Sequence, residues 1–428
     1  MMQKLIVISI DAMIYEDLAY VKQLPNIGAL LEKGALVKRM KSIYPTLTYP
    51  CHATMRTGCW PSRHGVVNNT QMVPGCLDPK WQWYNDVVRC PDIFDACKAA
   101  GLTTAAVGWP STGNHPGIDY LVDEVAGLKV KTREAFRGYY TDTGTPEELY
   151  QAVVAPNIWL RADQPDDVRS FNCAVACDII RKYQPDILML HLGDPDHARH
   201  VHGVYAREVY EALKNMDAKV GDICRAVRDA GIWSCTNIVI TADHGQLDTT
   251  RTIHPNVILA EAGYIRTGES GEFLDWDAWC QHVGMSALVY LKDPADDRLC
   301  AAVKQLFAER AAREDCGIAS IYSAEDAAAD GFAGAFSLVL NTDGQSAFGL
   351  NWTGPYMVSH PEGQLKGSHG FHPDFGPRPF FLGCGPAFVP GATLEHGQLI
   401  DGAPTYAKIL GVDLPQAQGT VLDELLAR

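Results

Sequence analysis

The sequence predicts an α/β fold with a mainly parallel central sheet flanked by helices. Apolar runs rich in valine, isoleucine and leucine alternate with helical segments up to about residue 110 and again over residues 168–245, which is typical of βαβ units. Three of these runs are each followed by acidic or histidine side chains: LIVISI by Asp11, DILMLHL by Asp196 and His200, and NIVITA by Asp243 and His244. Because ligands of an open α/β sheet bind beyond the carboxyl ends of its strands, these side chains are expected to converge on one edge.

The N-terminal part supplies the first units of the sheet. LIVISI predicts a buried strand and NIGALLEKG a helix after it. CPDIFDACKAAG predicts another helix and TTAAVGW another strand. Residues from about 110 to 165 are richer in glycine, proline and aromatic residues, which predicts long loops and short helices over the sheet edge.

The alternation returns in the middle of the chain and is then interrupted. VRSFNCAVACDIIRKY and VYEALKNMDAKVGDICRAVRDAG predict helices that precede the strands DILMLHL and NIVITA. Beyond them, DDRLCAAVKQLFAERAAR predicts a helix, and ALVYL, FSLVL and AFGLNW predict strands of a different block. We therefore predict a catalytic domain formed by residues 1–254 and 366–428, and an inserted α+β cap subdomain over 255–365 that shapes the active-site side.

Composition limits the classes of function. With 428 residues, 47% of them hydrophobic, the chain can bury a large core. Its formal charge of −15 argues against binding to nucleic-acid polymers or anionic membranes. Thirteen cysteines without CxxC pairs indicate reduced thiols. The apolar N-terminal run is too short for a membrane span and lacks a cleavage site, so the protein is expected to be cytoplasmic.

Six potential metal ligands follow the predicted strands or lie in a glycine-rich loop: Asp11, Asp196, His200, Asp243, His244 and His369. Carboxylate and imidazole groups suit zinc, and six are too many for one tetrahedral ion that also holds substrate. Two ions can clamp the attacking and leaving oxygens of a displacement at phosphorus, which indicates hydrolysis of a phosphate ester. Individually, Asp11 and Asp196 could instead be helix N-caps, and His369 an incidental loop residue.

The segment YPTLTYPCHATMRTG holds a candidate nucleophile, Thr48. A hydroxyl is a poor nucleophile at neutral pH unless a base or a metal stabilises its alkoxide. A zinc ion held by Asp11, Asp243 and His244 could do so. The alternative is a threonine that caps the following helix.

Together these motifs resemble the alkaline phosphatase superfamily and, within it, the nucleotide pyrophosphatase/phosphodiesterase family. The landmarks are, in order, the strand-end Asp11, T-(F/Y)-P as Thr48-Tyr49-Pro50, HG-x-x-x-N as His64 to Asn69, PD-x-x-x-H as Pro195 to His200, DHG at Asp243 and G-x-HG at Gly367. The resemblance covers nearly the whole chain and implies an alkaline phosphatase-like fold. The chain departs from the family at Cys51, where the family usually has Asn, at Ala242, where it has Ser or Thr, and at Gln246, where it has Met.

The resemblance also implies roles for individual residues. One zinc would be bound by Asp11, Asp243 and His244 with Thr48 completing the site, and a second by Asp196, His200 and His369. Asn69 would hold a phosphoryl oxygen. Tyr49, next to the nucleophile, could stack on a base or another planar group of the substrate. Cys51 could affect substrate choice or sensitivity to oxidation, or be a small buried thiol.

The predicted function is a two-zinc phosphodiesterase or nucleotide pyrophosphatase that cleaves a small phosphodiester or phosphoanhydride through a phosphothreonine intermediate. The sulfatase pattern requires, at the position of Thr48, a Cys or Ser that is oxidised to formylglycine. Threonine cannot undergo this conversion, so the pattern is absent. A phosphomonoesterase would need an arginine at the phosphate, and Arg56 and Arg63 are expected to be solvent-exposed. A phosphonatase resembling phosphonoacetate hydrolase, a phosphomonoesterase and a metal-binding protein without catalysis remain alternatives. The sequence leaves the substrate and the oligomeric state open.

Overall fold

The computed structural model of the protein describes residues 3–128, 132–162, 168–313 and 315–427. Its strands are β1 (Lys4–Ile10), β2 (Ala35–Lys41), β3 (Thr104–Val107), β4 (Tyr120–Val122), β5 (Ile187–Leu192), β6 (Thr236–Thr241), β7 (Leu247–Thr249), β8 (Arg251–Ile253), β9 (Ile265–Thr267), β10 (Phe273–Trp276), β11 (Ala278–His282), β12 (Ser286–Leu291), β13 (Ile318–Ser323), β14 (Leu338–Thr342), β15 (Ser346–Phe348), β16 (Met357–Ser359), β17 (Lys366–Ser368), β18 (Phe381–Cys384) and β19 (Thr393–Gln398).

The helices lie between and around these strands. They are α1 (Leu18–Val21), α2 (Ile27–Lys33), α3 (Thr48–Thr57), α4 (Pro61–His64), α5 (Ile93–Ala99), α6 (Arg133–Asp142), α7 (Glu147–Leu149), α8 (Ala155–Ala162), α9 (Val168–Tyr183), α10 (Asp196–His202), α11 (Arg207–Asp229), α12 (Pro255–Glu261), α13 (Asp297–Ala311), α14 (Ala324–Ala329) and α15 (Gly402–Leu410). None of these described helices is long and apolar enough to span a membrane.

The central sheet has eight strands in the order β19-β2-β18-β6-β1-β5-β3-β4. Strand β1 lies between β5 and β6 and is parallel to both. Strand β18 is antiparallel to its neighbours β2 and β6, whereas the other pairings of the sheet are parallel. The mainly parallel sheet predicted from the alternation of apolar runs and helices is therefore confirmed.

Helices cover both faces of this sheet because its inner strands are apolar on both faces. Along β1, Ile6, Ile8 and Ile10 join one core cluster with residues of α9 and α11. Leu5 and Val7 point to the opposite face and join a second cluster with residues of α3, α5 and α15. This alternation with a period of two is the strand geometry expected for a buried β1.

Residues 255–365 contain an antiparallel sheet of order β11-β12-β14-β13 with its own apolar cluster. Helix α13 begins one residue after the start of the predicted helix and ends two residues before its end. Strands β12 and β14 correspond to ALVYL and FSLVL. Strand β8, before residue 255, pairs with β15 and β16, so the block is joined to the catalytic part by main-chain pairing. The boundaries 255 and 365 stay a prediction.

The segment 110–165 forms the edge strand β4 and the helices α6 to α8. Part of the predicted segment, residues 129–131 and 163–165, lies outside the described residues. Over the remainder, short helices at the sheet edge agree with the expectation from composition.

Candidate active site

The site lies at the carboxyl ends of three adjacent parallel strands. Asp11 follows the last residue of β1, Asp243 follows β6 after a single alanine, and Asp196 opens α10 beyond β5. The main chain joins them directly, since the Asp11 N–H donates to Leu192 O at 2.9 Å and the Asp196 N–H to Asp11 O at 3.2 Å. This is the edge at which the sequence predicted that the polar side chains would converge.

The first cluster surrounds the imidazole of His244. Its Nε2 atom is 3.6 Å from Asp11 Oδ1 and 3.3 Å from Asp243 Oδ2. The same nitrogen is 3.3 Å from Oγ1 of Thr48. All four residues are buried. The predicted nucleophile therefore lies beside the residues predicted to bind the first metal ion.

The second cluster surrounds the carboxylate of Asp196. His200 Nε2 is 3.3 Å from Asp196 Oδ2, and His369 Nε2 is 3.8 Å from Oδ1. The Nδ1 atoms of these histidines are within hydrogen-bond distance of main-chain carbonyls, His200 of Gly367 O at 2.8 Å and His369 of Thr46 O at 3.0 Å. Because Nδ1–H must donate there, both Nε2 atoms present lone pairs to the space beside Asp196.

His369 is 125 residues beyond His244 in the chain, yet the two imidazole rings stack with centroids 3.9 Å apart. The antiparallel pairing of β17 with β7 explains this, because Ser368 is aligned with Leu247. His369 and the Asp243-His244 pair are therefore brought together by a short strand pair, and the two clusters adjoin.

The carboxylates of Asp11, Asp196 and Asp243 lie close together in a buried site, where their negative charges repel one another. Burial, reinforced by the charges of Asp196 and Asp243, holds the pKa of Asp11 well above its usual value. Burial also raises the pKa of Asp243 to about 7, and Asp196 adds to this effect. At Asp196 burial acts in the same direction, but the imidazoles of His200 and His369 outweigh it and lower the pKa.

The residues fit divalent metal ions of the zinc type. Asp196, His200 and His369 offer ligand atoms that all lie within 4.8 Å of one another, as do Asp11, Asp196 and His244. Asp11 Oδ1 and Asp243 Oδ2 are buried acceptors without a hydrogen-bond donor. Buried carboxylate oxygens are costly unless a cation or a donor satisfies them, and carboxylate with imidazole is a common zinc ligand set.

Thr48 is the first residue of helix α3, whose N-cap is Leu47. Its hydroxyl contacts His244 and does not cap the helix. Asp196 likewise opens α10 without a capping hydrogen bond from its side chain. The alternative that these residues are merely helix caps is therefore not supported. Thr48 also lies at the positive end of a ten-residue helix, an environment that favours anions.

Asn69 lies next to the nucleophile, with its Oδ1 accepting a hydrogen bond from the Tyr49 N–H at 2.9 Å. Tyr49 itself is fully buried, and its ring packs on Trp81 with centroids 5.3 Å apart. A fully buried ring offers no open face to a substrate base. The structure thus places Tyr49 in the core behind the nucleophile, and its predicted stacking role has no support from its position.

Two buried histidines that the sequence analysis did not single out lie behind the first cluster. His52 is within hydrogen-bond distance of Thr48 O through Nδ1, at 2.8 Å, and of Ser9 Oγ through Nε2, at 2.9 Å. His191 Nε2 is 3.4 Å from Asp11 Oδ2. His191 could have been found from the sequence, because a histidine stands out within the apolar run DILMLHL. His197 and His202, the other histidines of α10, are exposed.

The expectation that Arg56 is solvent-exposed is wrong. Its side chain is fully buried, and Nη1 donates to Asp92 Oδ2 at 2.6 Å. Its Nη2 group donates to Asn85 Oδ1 and Ser111 O. The buried carboxylate of Asp92, 36 residues away, compensates the charge, so Arg56 anchors helix α3 and is engaged away from the metal ligands. Arg63 is exposed as expected.

Cys51 is fully buried, with its sulfur 3.3 Å from Ser42 Oγ. Burial raises the pKa of the Cys51 thiol, which keeps it protonated and weakly reactive. The placement agrees with the alternative of a small buried thiol.

The fold and the site together define an α/β protein with two adjoining clusters of metal ligands beside a threonine. A family model described as type I phosphodiesterase / nucleotide pyrophosphatase matches residues 5–372. The chain belongs to this family.

Curated relatives match about half of the chain. Human ectonucleotide pyrophosphatase/phosphodiesterase family member 1 is 26% identical over 227 residues, which are 52% of this chain and 21% of the human protein. Venom phosphodiesterase CdcPDE of Crotalus durissus collilineatus is 23% identical over 233 residues, 52% of this chain and 23% of the venom protein. The match spans less than a quarter of the length of either relative.

Solved structures match the whole chain. Murine ectonucleotide pyrophosphatase/phosphodiesterase 5, as an inactive variant in complex with AMP, has a TM-score of 0.70 at 18% identity, covering 99% of this chain and 100% of that chain. The human protein of the same name has a TM-score of 0.69 at 20% identity, with both chains fully covered. At such identities the likeness establishes the fold, and the predicted α/β fold with a mainly parallel central sheet flanked by helices is confirmed.

Proposed function

We propose that the protein is a two-zinc phosphodiesterase or nucleotide pyrophosphatase that hydrolyses a small phosphodiester or phosphoanhydride through a covalent intermediate on Thr48. The observation that carries the proposal is the position of the Thr48 hydroxyl, 3.3 Å from His244 Nε2 within the first ligand cluster. The second cluster adjoins it across the stacked rings of His244 and His369. A hydroxyl nucleophile and two metal-ligand sets are the parts that in-line displacement at phosphorus requires.

In this proposal Asp11, Asp243 and His244 hold one zinc ion, and Asp196, His200 and His369 hold the other. The two ions would supply positive charge to the attacking and leaving oxygens. The hydrogen bonds from His200 Nδ1 and His369 Nδ1 to main-chain carbonyls keep Nε2 available for coordination. The buried acceptors of Asp11 and Asp243 are consistent with such an ion.

The chain's own groups orient the reaction. The Thr48 hydroxyl would give its proton to solvent and bond to phosphorus as the bond from phosphorus to the leaving oxygen breaks, so that the first product departs. The N-terminus of α3 lies beside Thr48, and its helix dipole favours the negative phosphoryl group. Asn69 uses its Oδ1 to accept from Tyr49 N–H, so its Nδ2 group is the donor that can stabilise a phosphoryl oxygen. Hydrolysis of the covalent ester by water then releases the second product and restores the Thr48 hydroxyl.

A diester or anhydride is favoured over a monoester because Arg56 is engaged by Asp92 within the fold. The phosphoryl group of a monoester carries one more negative charge than that of a diester, and binding it would need an additional cation. The names of the curated relatives refer to nucleotide pyrophosphatase and phosphodiesterase activities, and the murine structure contains AMP. We therefore propose nucleotide esters as the first substrates to test. A cytoplasmic location stays a prediction, which subcellular fractionation of the native host would check.

The test combines a nucleophile variant with a substrate series on zinc-loaded protein. Thr48→Ala is expected to abolish turnover while zinc content is unchanged, and Thr48→Ser, which keeps a hydroxyl, is expected to retain part of it. Hydrolysis would be followed for bis-p-nitrophenyl phosphate, p-nitrophenyl phosphate, a nucleotide ester and phosphonoacetate. Near-normal turnover by Thr48→Ala would reject the nucleophile.

The substrate series separates the alternatives within the same chemistry. The proposal expects the diesters to be hydrolysed with the highest kcat/KM. A clear preference for p-nitrophenyl phosphate would assign a phosphomonoesterase, and a preference for phosphonoacetate would assign a phosphonatase. Zinc-loaded protein that is inert toward every ester across a range of pH would support a metal-binding protein without catalysis.

A further inference from the structure

Gln246 is a residue at which the chain departs from its family, and the structure places it against a ligand of the second cluster. Its side chain is fully buried. Its Nε2 group donates to Asp196 Oδ1 and also to the main-chain oxygen of Asp196, at 3.2 Å. Methionine, the usual family residue at this position, has no group that could donate these hydrogen bonds.

The orientation of the Gln246 amide follows from its neighbours. Two oxygen acceptors, both of Asp196, face the same atom of the amide, and only the NH2 group can donate to them. The other end, Oε1, is buried without a hydrogen-bond donor. An unpaired buried acceptor is unfavourable, so the contact with Asp196 determines which way the amide points.

The contact concerns a carboxylate of the second cluster that also lies within reach of ligands of the first cluster. Asp196 offers an oxygen to a group with His200 and His369, and also to a group with Asp11 and His244. Its Oδ2 atom is 3.3 Å from His200 Nε2, whereas Oδ1 receives the Gln246 amide. A carboxylate in this position could rotate between the two metal sites unless one of its oxygens is fixed.

We propose that Gln246 is a positioning residue that assigns Asp196 to the second metal site. By donating to Oδ1, the amide leaves Oδ2 directed toward His200 as a single coordinating oxygen. It also prevents the carboxylate from rotating toward Asp11 and His244. The inference rests on the proposed function for the existence of two metal sites, and it adds a residue that sets the occupancy of one of them.

Packing around the amide restricts it further. A Cβ atom at Gly367 would lie 2.0 Å from Gln246 Oε1 and 2.8 Å from Arg199 O. The carbonyl of the same Gly367 accepts from His200 Nδ1. Glycine at position 367 thus allows Gln246 to reach Asp196 and holds His200 from the opposite side. Two ligands of the second site are therefore each held by a neighbour, Asp196 by Gln246 and His200 by Gly367.

The experiment compares Gln246→Met and Gln246→Leu with the wild-type protein. Both variants keep a side chain of similar size and remove the donor. Thr241→Val is the matched control, since Thr241 is buried at the end of β6 and its hydroxyl donates to Phe380 O rather than to a ligand side chain. Zinc affinity would be measured by competition with a chromogenic chelator, and the Co2+-substituted proteins would be compared by visible absorption.

Wild-type protein is expected to bind two zinc ions per chain. In both Gln246 variants the association constant of the more weakly bound zinc ion is expected to fall by about 10-fold or more, as for other residues that orient a metal ligand. The association constant of the more tightly bound ion and the melting temperature of the metal-free protein are expected to be unchanged. The Co2+ spectrum is expected to change at one site only. Thr241→Val should bind both ions as wild type does.

Two distinct results would overturn the inference or its basis. If wild-type protein binds two ions and both variants bind them equally well, Gln246 has no positioning role. If wild-type protein binds fewer than two ions, the proposed function itself fails. A metal-loaded crystal structure of the wild type provides a check that needs no variant: Asp196 Oδ1 coordinated to metal, with the Gln246 amide turned away, would refute the inference.

Discussion

In the metal-free protein, replacing Asp243 by asparagine is expected to stabilise the fold, although the change removes a potential metal ligand. The carboxylate is fully buried. Burial, with the charge of Asp196, raises its pKa from 3.8 to about 7. Asparagine keeps an oxygen that can accept from the Ala12 N–H at 3.1 Å and from the His244 N–H at 3.0 Å. The substitution therefore removes a buried charge and preserves these hydrogen bonds.

The magnitude follows from the linkage between proton binding and folding. A carboxyl group with a higher pKa in the folded protein lowers stability above its unfolded pKa, and the cost is complete above the folded pKa. For values of 3.8 and about 7 the cost is about 4 kcal/mol at pH 8 and about 2 kcal/mol at pH 5. The advantage of Asp243→Asn over wild type should therefore increase by about 2 to 3 kcal/mol between these pH values.

The assay is urea unfolding of chelator-treated protein at both pH values, followed by tryptophan fluorescence. Asp217→Asn is the control, because its carboxylate is buried outside the site and accepts from Asn26 N–H and Ile27 N–H. That variant should not be stabilised. An Asp243→Asn protein that is no more stable than wild type at pH 8, or whose advantage is independent of pH, would refute the reasoning.

At pH 5, where the advantage of Asp243→Asn is about 2 kcal/mol, zinc should reverse the order of stability. A ligand that binds only the folded protein adds about 4 kcal/mol when its concentration is 1,000 times its dissociation constant. Wild-type protein should gain this at each site, whereas Asp243→Asn should gain much less at the first site because a charged ligand is missing. A variant that remains the more stable protein in saturating zinc would show that Asp243 is not a metal ligand.

Three further changes test other parts of the structure. Arg56→Met should cost about 3 to 5 kcal/mol in urea unfolding, because the buried carboxylate of Asp92 loses the guanidinium that compensates its charge; a loss below about 1 kcal/mol would contradict the buried ion pair. Gly367→Ala should lower zinc content to about one ion per chain by displacing the Gln246 amide, whereas full zinc content would show that the site accommodates the added methyl group. Tyr49→Phe should leave KM for a nucleotide ester unchanged, since the ring lies in the core; a large increase in KM would indicate direct contact with substrate.

The sheet and the position of the site could be predicted because they depend on local patterns. The apolar runs before Asp11 and Asp243 identify buried strands, and parallel strands place their carboxyl ends at one edge. The four-residue spacing of Asp196 and His200 places both on one face of a helix. The position of His369 could not be predicted from such local patterns, because the pairing of β17 with β7 brings it to His244. Only the order of the family's motifs indicated it in advance.

The residues that the sequence did not reveal are those whose roles depend on a distant partner. Arg56 is buried because Asp92 compensates its charge, and a helix pattern alone suggests exposure for any arginine. Tyr49 is buried because Trp81 covers it. Gln246 was recognised as a departure from the family, but its hydrogen bond to Asp196 becomes visible only when the segment between β6 and β7 is placed beside α10.

The most direct test of the proposed chemistry is to identify the covalent intermediate on Thr48. Zinc-loaded protein would be mixed with a phosphodiester, quenched in acid within one turnover and digested for mass spectrometry. A phosphoryl ester of the substrate on the peptide that contains Thr48, present in wild type and absent in Thr48→Ala, is the expected result. Steady turnover without any adduct at Thr48, or an adduct on a different residue, would contradict the assignment of Thr48 as the nucleophile.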